Sequence, residues 1–216
     1  MTGRRTAIAA SLAIFLLTGC GGGGGGDDTS TSSGLPAGCT QVQAPQPKRV
    51  HLSRPTTTLH GPATATVATN CGSFTIALDT ARAPKTASSF AYLARRGVYN
   101  DTLFHRIVPG FVIQGGDPTG TGSGGPGYFV DEPPPRGLSY TQGVVAMAKT
   151  SAEPPGRSAS QFFVVTVADA GLTPDYALVG KVSSGFDVVQ RIEQLGTASG
   201  APKAPVVIRQ VTIQGG

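Results

Sequence analysis

The feature that most constrains the fold is a succession of short apolar runs, separated by Gly- and Pro-containing turns, after Ala63. Within Phe74–Leu78 apolar residues alternate, as the one buried face of a strand requires. Only Pro84–Arg96 and Phe186–Leu195 show helical spacing. Many short strands with two helices favour a closed β-barrel covered by helices, because closure leaves no exposed sheet edge. The predicted strands are Thr64–Asn70, Ser73–Leu78, Leu103–Val108, Phe111–Gln114, Gly143–Ala148, Gln161–Val167, Ala177–Val182 and Val206–Ile213.

The first 19 residues have the pattern of an export signal. Arg4 and Arg5 precede an apolar run from Ala7 to Leu17, which is shorter than the ~20 apolar residues of a transmembrane helix. Small residues then lead to Cys20. The segment resembles a bacterial lipoprotein signal, which implies cleavage after residue 19, lipidation of Cys20 and a location outside the cytoplasm, anchored to the bacterial cell membrane. The alternative is an ordinary signal peptide with an incidental cysteine.

Residues 20–62 are predicted to form a flexible tether to a domain that spans residues 63–216. The tether begins with the run Gly21–Gly26 and continues with small polar residues and scattered prolines, which cannot bury apolar surface. If Cys20 is lipidated, Cys39 and Cys71 remain, and an even pair in an exported chain suggests a disulfide. That bond would attach the end of the tether to the start of the domain. Two free thiols are the alternative.

Several functional classes are excluded by what the domain lacks. The formal net charge of +5 is spread along the chain, without the basic stripe typical of nucleic-acid binding. Gly120–Gly125 matches GxGxxG, but Pro126 prevents the helix that a nucleotide site needs, so we predict a surface loop there. His105 is the only histidine after residue 62, which argues against a metal site. Asp117 and Asp131 have no evident carboxylate partner and are interpreted as structural or solvated.

The most informative stretch is Phe104–Asp117, with the sequence FHRIVPGFVIQGGD. It predicts a strand, a Pro-Gly turn and a second strand. Arg106 and Gln114 are polar residues within these apolar runs, and an arginine is almost never buried unless it is paired. The two side chains either satisfy each other inside a core or both face a groove. The spacing alone leaves both interpretations open.

This stretch resembles the signature of the cyclophilin family of peptidyl-prolyl cis-trans isomerases. Further segments resemble other motifs of that family in the expected order, so that the resemblance extends from about Ala63 to the C terminus. It implies an eight-stranded antiparallel barrel closed by two helices, with the substrate groove on its outer surface. The additional segments are Ala83–Thr86 with Phe90, Gly143–Ala148, Ser160–Phe163 and Val179–Val182.

The resemblance also implies the residues of the site. Arg106 corresponds to the catalytic arginine, Phe111 belongs to the catalytic set, and Gln114 would bind the substrate backbone and help to hold Arg106. The proline pocket would be lined by Phe111, Val112, Phe163 and Leu172, and the groove would be bordered by Ala148, Lys149, Gln161 and Tyr176. Gly171 replaces the usual rim aromatic, which argues against tight cyclosporin binding. Lys149 replaces a common asparagine.

The sequence therefore predicts an isomerase whose partners are proline-containing polypeptides. It would need no cofactor or metal, and it would contact the membrane only through Cys20. A monomer is the expected state for this family. Two other functions stay open: a non-catalytic peptide-binding module or chaperone on the same barrel, and an envelope scaffold that binds elsewhere on its surface.

Overall fold

The computed structural model describes residues 34–216. The predicted signal segment, the predicted lipidation residue Cys20 and the first part of the predicted tether, residues 20–33, lie outside the described residues. Within residues 34–216, no helix combines the length and the apolar character needed to cross a membrane.

The domain is built from eleven strands and two helices. Both helices begin where the sequence predicts, and each ends one or two residues earlier than predicted. In chain order the elements are β1 Ala63–Thr69, β2 Gly72–Leu78, α1 Pro84–Arg95, β3 Thr102–Leu103, β4 Arg106–Val108, β5 Val112–Gly115, β6 Val130–Asp131, β7 Val144–Met147, β8 Arg157–Ser158, β9 Phe162–Val165, β10 Leu178–Ser184, α2 Phe186–Glu193 and β11 Val207–Gly215.

Nine strands form one curled antiparallel sheet, and the mainly β architecture with two helices agrees with the prediction. The strand order is β3-β11-β1-β2-β10-β7-β9-β5-β4, and β6 pairs with β8 separately. The predicted closed eight-stranded barrel is wrong, because the sheet has nine strands and, within residues 34–216, no ladder joins β3 to β4. The predicted strand Leu103–Val108 is split at Phe104 and His105. There the Phe104 amide donates to the Val206 carbonyl, at 2.9 Å, and the Ile107 amide to the Gly200 carbonyl, at 2.8 Å.

Helix α1 is capped from a distant loop. Pro84 occupies its first turn, where a missing N–H costs nothing. The Glu132 carboxylate accepts the amide protons of Lys85 and Thr86, at 3.1 and 2.7 Å. These contacts satisfy two N–H groups that the helix itself leaves unpaired, and they place a negative charge at its positive end. The Pro-rich segment around Glu132, which has no role that the sequence reveals, thus stabilises α1.

A buried aromatic cluster ties α1 to the sheet. The Phe162 ring on β9 meets the rings of Phe90, Tyr99 and Phe104 edge-on, with centroid distances of 5.3, 5.6 and 5.9 Å. Such edge-to-face contacts add stability beyond the burial of apolar area. Since side chains alternate along a strand, Phe163 points to the opposite face of the sheet. Packing of Phe162 in this cluster therefore fixes the strand β9, and with it the position of Phe163 on the opposite face.

Tyr140 belongs to a second, smaller cluster of buried apolar side chains, which includes Val112 and Phe163, and links it to the loop before β10. Its hydroxyl donates to the Tyr176 carbonyl at 2.6 Å and accepts from the Tyr176 amide at 2.9 Å. The Tyr140 ring also packs against Phe163, with 6.3 Å between centroids. Burial raises the pKa of Tyr140 to about 12. Both polar groups of the Tyr176 backbone are thus held by one side chain.

The described part of the predicted tether, residues 34–62, is irregular but packs on the domain. Leu59 is buried in the main core, while Leu35, Val50 and Leu52 pack against it. The sequence predicts a flexible tether here, but these scattered apolar residues pack against the core of the domain. Three backbone hydrogen bonds attach the segment along its length: Thr40 N to Asn70 O, 2.8 Å; Lys48 N to Pro118 O, 2.9 Å; Leu52 N to Pro126 O, 2.8 Å.

A disulfide joins Cys39 to Cys71, the pairing that the sequence suggests, across a sequence separation of 32 residues. Cys71 lies in the turn between β1 and β2 and is fully buried. The bond therefore fixes one end of residues 34–62 to the first hairpin of the domain.

Replacing Cys39 and Cys71 together by serine is expected to lower the free energy of unfolding by about 2–4 kcal/mol, because the unfolded chain regains the freedom of the closed loop. Urea unfolding monitored by circular dichroism measures the change. Dithiothreitol should destabilise the wild type to a similar extent and leave the double variant unchanged. An unaltered midpoint in the variant would contradict the stabilising role of this bond.

The stability of the domain is expected to fall as the pH rises from about 10 through about 12, since folded Tyr140 keeps a proton that the unfolded chain has released. Tyr140→Phe should show a smaller fall over this range. At neutral pH it should be less stable by about 1–2 kcal/mol, because the Tyr176 amide loses its acceptor. Urea unfolding at several pH values tests both statements, and parallel curves for the two proteins would refute the first.

Candidate active site

Three neighbouring strands place the central side chains of the site in one row. Arg106 on β4 lies opposite Gln114 on β5, and Gln114 lies opposite Phe163 on β9. Directly opposed residues of antiparallel strands project from the same face of the sheet. The register of the β4–β5 hairpin therefore brings a guanidinium, an amide and an aromatic ring together on the outer face of the sheet.

The turn of this hairpin is supported by α2. Gly110 has a φ of +70°, which favours glycine, and its amide donates to Glu193 Oε1 at 2.7 Å. The Thr166 hydroxyl donates to the same oxygen at 2.6 Å. These contacts fix the turn that presents Phe111. No local pattern in the sequence marks Glu193 as a partner of Gly110, because the two residues lie 83 positions apart.

These side chains line a groove of about 250 Å³, which we call the proline groove because the family resemblance predicts that it binds proline. Nine of the ten residues that the resemblance implies for catalysis and substrate binding lie around it. One part of its wall is apolar and the other carries Arg106, Gln114 and Lys149. The lining consists of Arg106, Phe111, Val112, Gln114, Ala148, Lys149, Phe163, Leu172 and Tyr176.

Arg106 is half-buried and keeps most of its hydrogen-bonding capacity. One guanidinium nitrogen, Nη1, lies 3.4 Å from Gln114 Oε1, and the guanidinium carbon lies 5.8 Å from the centre of the Phe111 ring. Within residues 34–216 it forms no salt bridge. Arg106 and Gln114 thus contact each other and also line the groove, which combines the two interpretations that the sequence left open. The remaining N–H donors of the guanidinium are available to a bound molecule.

The amide groups of Gln114 and Gln161 are linked in a fixed order. Gln114 Nε2 donates to Gln161 Oε1 at 3.1 Å. Gln161 Nε2 in turn donates to the carbonyls of Gly122 and Gly124, at 2.9 and 3.2 Å. Gln161 is the one implied site residue that lies outside the lining of the proline groove.

Gln161 instead lines a neighbouring cavity of about 500 Å³. This cavity shares Gln114, Ala148 and Lys149 with the proline groove, so the two spaces adjoin. Val50, from the N-terminal segment 34–62, forms part of its wall. The packed segment therefore extends the surface next to the groove.

Two positions at the rim differ from the usual family pattern. Lys149 Nζ donates to the carbonyls of Thr150 and Glu153, at 3.1 and 3.0 Å, and lies 5.7 Å from the centre of the Tyr176 ring. Its side chain thus folds back over the adjoining loop. Gly171 is exposed, with a φ of +61° and open space around its Cα. It adds nothing to the wall of the groove.

Comparison with known proteins gives a consistent result. A family model described as "Cyclophilin type peptidyl-prolyl cis-trans isomerase/CLD" matches residues 64–213. Two proteins named "Peptidyl-prolyl cis-trans isomerase-like 1" are similar to this chain. The one from Aspergillus niger is 42% identical over 135 residues, which cover 61% of this chain and 82% of the relative. The one from Aspergillus fumigatus is 44% identical over 136 residues, with the same coverage.

Solved structures that are similar to this chain belong to the same family as the matching model. A crystal structure of a cyclophilin type peptidyl-prolyl cis-trans isomerase from Cryptosporidium parvum is 32% identical, with a TM-score of 0.67, and covers 72% of this chain and 99% of that one. A second structure of that protein, in the presence of the dipeptide Ala-Pro, has a TM-score of 0.65. The match over residues 64–213 together with this shared fold shows that the chain belongs to the cyclophilin family of peptidyl-prolyl cis-trans isomerases.

Proposed function

We propose that this cyclophilin accelerates Xaa-Pro isomerisation in exported polypeptides, with Arg106 as the catalytic residue of the proline groove. Rotation about the Xaa-Pro bond is slow because amide resonance has to be broken, with a barrier of about 18–20 kcal/mol. The uncatalysed exchange takes about 10–100 s. A catalyst must therefore stabilise the twisted bond more than either planar form.

The chemistry of Arg106 suits this task. In the twisted transition state the prolyl nitrogen becomes pyramidal and regains a lone pair, to which a guanidinium N–H can donate. In the planar ground state the lone pair is delocalised, so the contact is available chiefly during rotation. Arginine stays protonated and holds its donors in a rigid plane. The observation that carries the proposal is that Arg106 keeps free donors beside an apolar groove.

The rest of the groove supports rotation of one part of the peptide against the other. The apolar side chains of Phe111, Val112, Phe163 and Leu172 would hold the proline ring. Gln114 would bind the backbone of the substrate with the amide that already orients Arg106. The neighbouring cavity adjoins the groove at Gln114, so a longer peptide can extend from one into the other.

We place this activity outside the cytoplasm, on chains that fold after export. The signal-like residues 1–19 and lipidation of Cys20 would anchor the enzyme to the membrane. The Cys39–Cys71 disulfide supports an oxidising location, where such bonds persist. Prolyl isomerisation can limit the folding rate of exported chains, which gives an isomerase there a clear role.

Arg106→Ala is expected to lower kcat/KM about 100-fold, the usual cost of removing one donor that acts in the transition state. KM should change little because the apolar walls remain. Rates are measured by NMR exchange on a short Ala-Pro peptide. Arg82→Ala is the matched control, since Arg82 is paired with Asp79 at the surface, outside the groove.

Two outcomes would overturn the proposal in different ways. If the wild type binds the peptide without accelerating exchange, the protein is a non-catalytic proline-binding module. If the wild type is active and Arg106→Ala retains full activity, the catalytic role belongs to another group.

A further inference from the structure

The glycine-rich loop, residues 118–127, adjoins the site although the sequence gives it no function. Its GxGxxG pattern is followed by no helix, as predicted. The loop begins directly after Asp117 and passes over Gln161. A chain this rich in glycine has little conformational preference of its own, so its shape must come from its contacts.

Asp117 supplies those contacts from inside the fold. Its side chain is 0 % exposed. Oδ1 accepts from the Thr119 amide and hydroxyl, at 2.7 and 2.9 Å, and Oδ2 accepts from the amides of Gly122 and Gly124, at 2.6 and 3.1 Å. Burial alone would raise the pKa of Asp117, but these hydrogen bonds outweigh it and lower the pKa below its ordinary value. A Cβ at Gly124 would overlap with Oδ1 of Asp117, so only glycine fits there.

The loop fixes the orientation of the Gln161 amide. While the amides of Gly122 and Gly124 point to Asp117, their carbonyls accept hydrogen bonds from Gln161 Nε2. An amide side chain has donors on its nitrogen and acceptors on its oxygen. With the nitrogen committed to two carbonyls, Gln161 must present its oxygen to Gln114.

The orientation of Gln161 in turn determines which group of Gln114 faces Arg106. Gln114 turns its nitrogen to the Gln161 oxygen, so its own oxygen faces the guanidinium. In the reversed orientation the Gln114 NH2 group would face the guanidinium, donor against donor. The loop carbonyls therefore determine, through two amides, that Arg106 meets an acceptor.

The N-terminal segment holds the outer side of the loop. The amides of Lys48 and Leu52 donate to the carbonyls of Pro118 and Pro126, at 2.9 and 2.8 Å. These two carbonyls lie near the two ends of the loop. Residues 48 and 52 lie outside the span that matches the family model.

We propose that Asp117 is a positioning residue for Arg106, acting through the glycine-rich loop, Gln161 and Gln114. The inference rests on the proposed catalytic role of Arg106. Asp117 orders the loop, the loop orders the two amides, and the amides hold the guanidinium in the position from which it donates to the prolyl nitrogen. Loss of Asp117 thus acts on the chemical step, and the apolar walls that bind the ring stay in place.

The test is a double-mutant cycle in the full chain. Asp117→Asn replaces one acceptor by an NH2 group that opposes the backbone amides, and it should lower kcat about tenfold with little change in KM. In an Arg106→Ala background the same substitution should have no further effect, since the residue that it positions is gone. A purely structural role would give equal losses in both backgrounds.

Asp79→Asn is the matched control, because the Asp79 carboxylate also accepts a backbone amide, that of Arg82, at 2.9 Å outside the groove. It should leave kcat unchanged. Amide hydrogen exchange at Gly122 and Gly124 should accelerate in Asp117→Asn and not in the control. If Asp117→Asn does not fold, Gln161→Glu replaces it, since that variant removes the donor to the loop carbonyls and should be equally non-additive with Arg106→Ala.

Unchanged kcat in the folded Asp117 variant, or an equal loss in both backgrounds, would overturn the positioning role. An inactive wild type, or an active Arg106→Ala, would instead contradict the proposed function on which it rests. The two failures are therefore separable within one set of measurements.

Discussion

The site depends on a cation that is held without being neutralised. The contact between Arg106 and Gln114 fixes the guanidinium by a neutral amide, and no carboxylate in the described part of the chain forms a salt bridge with it. In the proposed mechanism, a salt bridge would occupy the donors that the rotating imide needs. A guanidinium with no partner would be poorly oriented and costly to bury. The amide contact avoids both problems.

The fold maintains this balance from several directions. The hairpin register aligns Arg106 with Gln114, and Glu193 on α2 supports the turn that carries Phe111. The aromatic cluster around Phe162 fixes the strand from which Phe163 projects. These supports come from separate elements, so the groove is preorganised before a peptide arrives, which is the condition for electrostatic catalysis.

Local sequence patterns predict those secondary-structure elements whose formation depends on residues close together in the chain. The strand–turn–strand around Pro109 and Gly110 and the two helices follow from periodicity and turn residues, and the groove residues follow from the family resemblance. The closed eight-stranded barrel was wrong because the break at Phe104 and His105 depends on backbone partners about 100 residues away. The carboxylates of Glu132 and Glu193 accept backbone amides that lie far away along the chain, and Asp117 holds a glycine-rich loop. No spacing in the sequence reveals these contacts.

The most direct test of the central claim measures binding and exchange in one sample. Arg106→Lys keeps the positive charge and removes the planar fork. In NMR exchange spectroscopy with an Ala-Pro peptide, this account predicts an unchanged Kd and a cis-trans exchange rate on the enzyme that falls at least about tenfold. An unchanged exchange rate at equal occupancy would show that a positive charge is enough without the planar guanidinium, and it would contradict the mechanism.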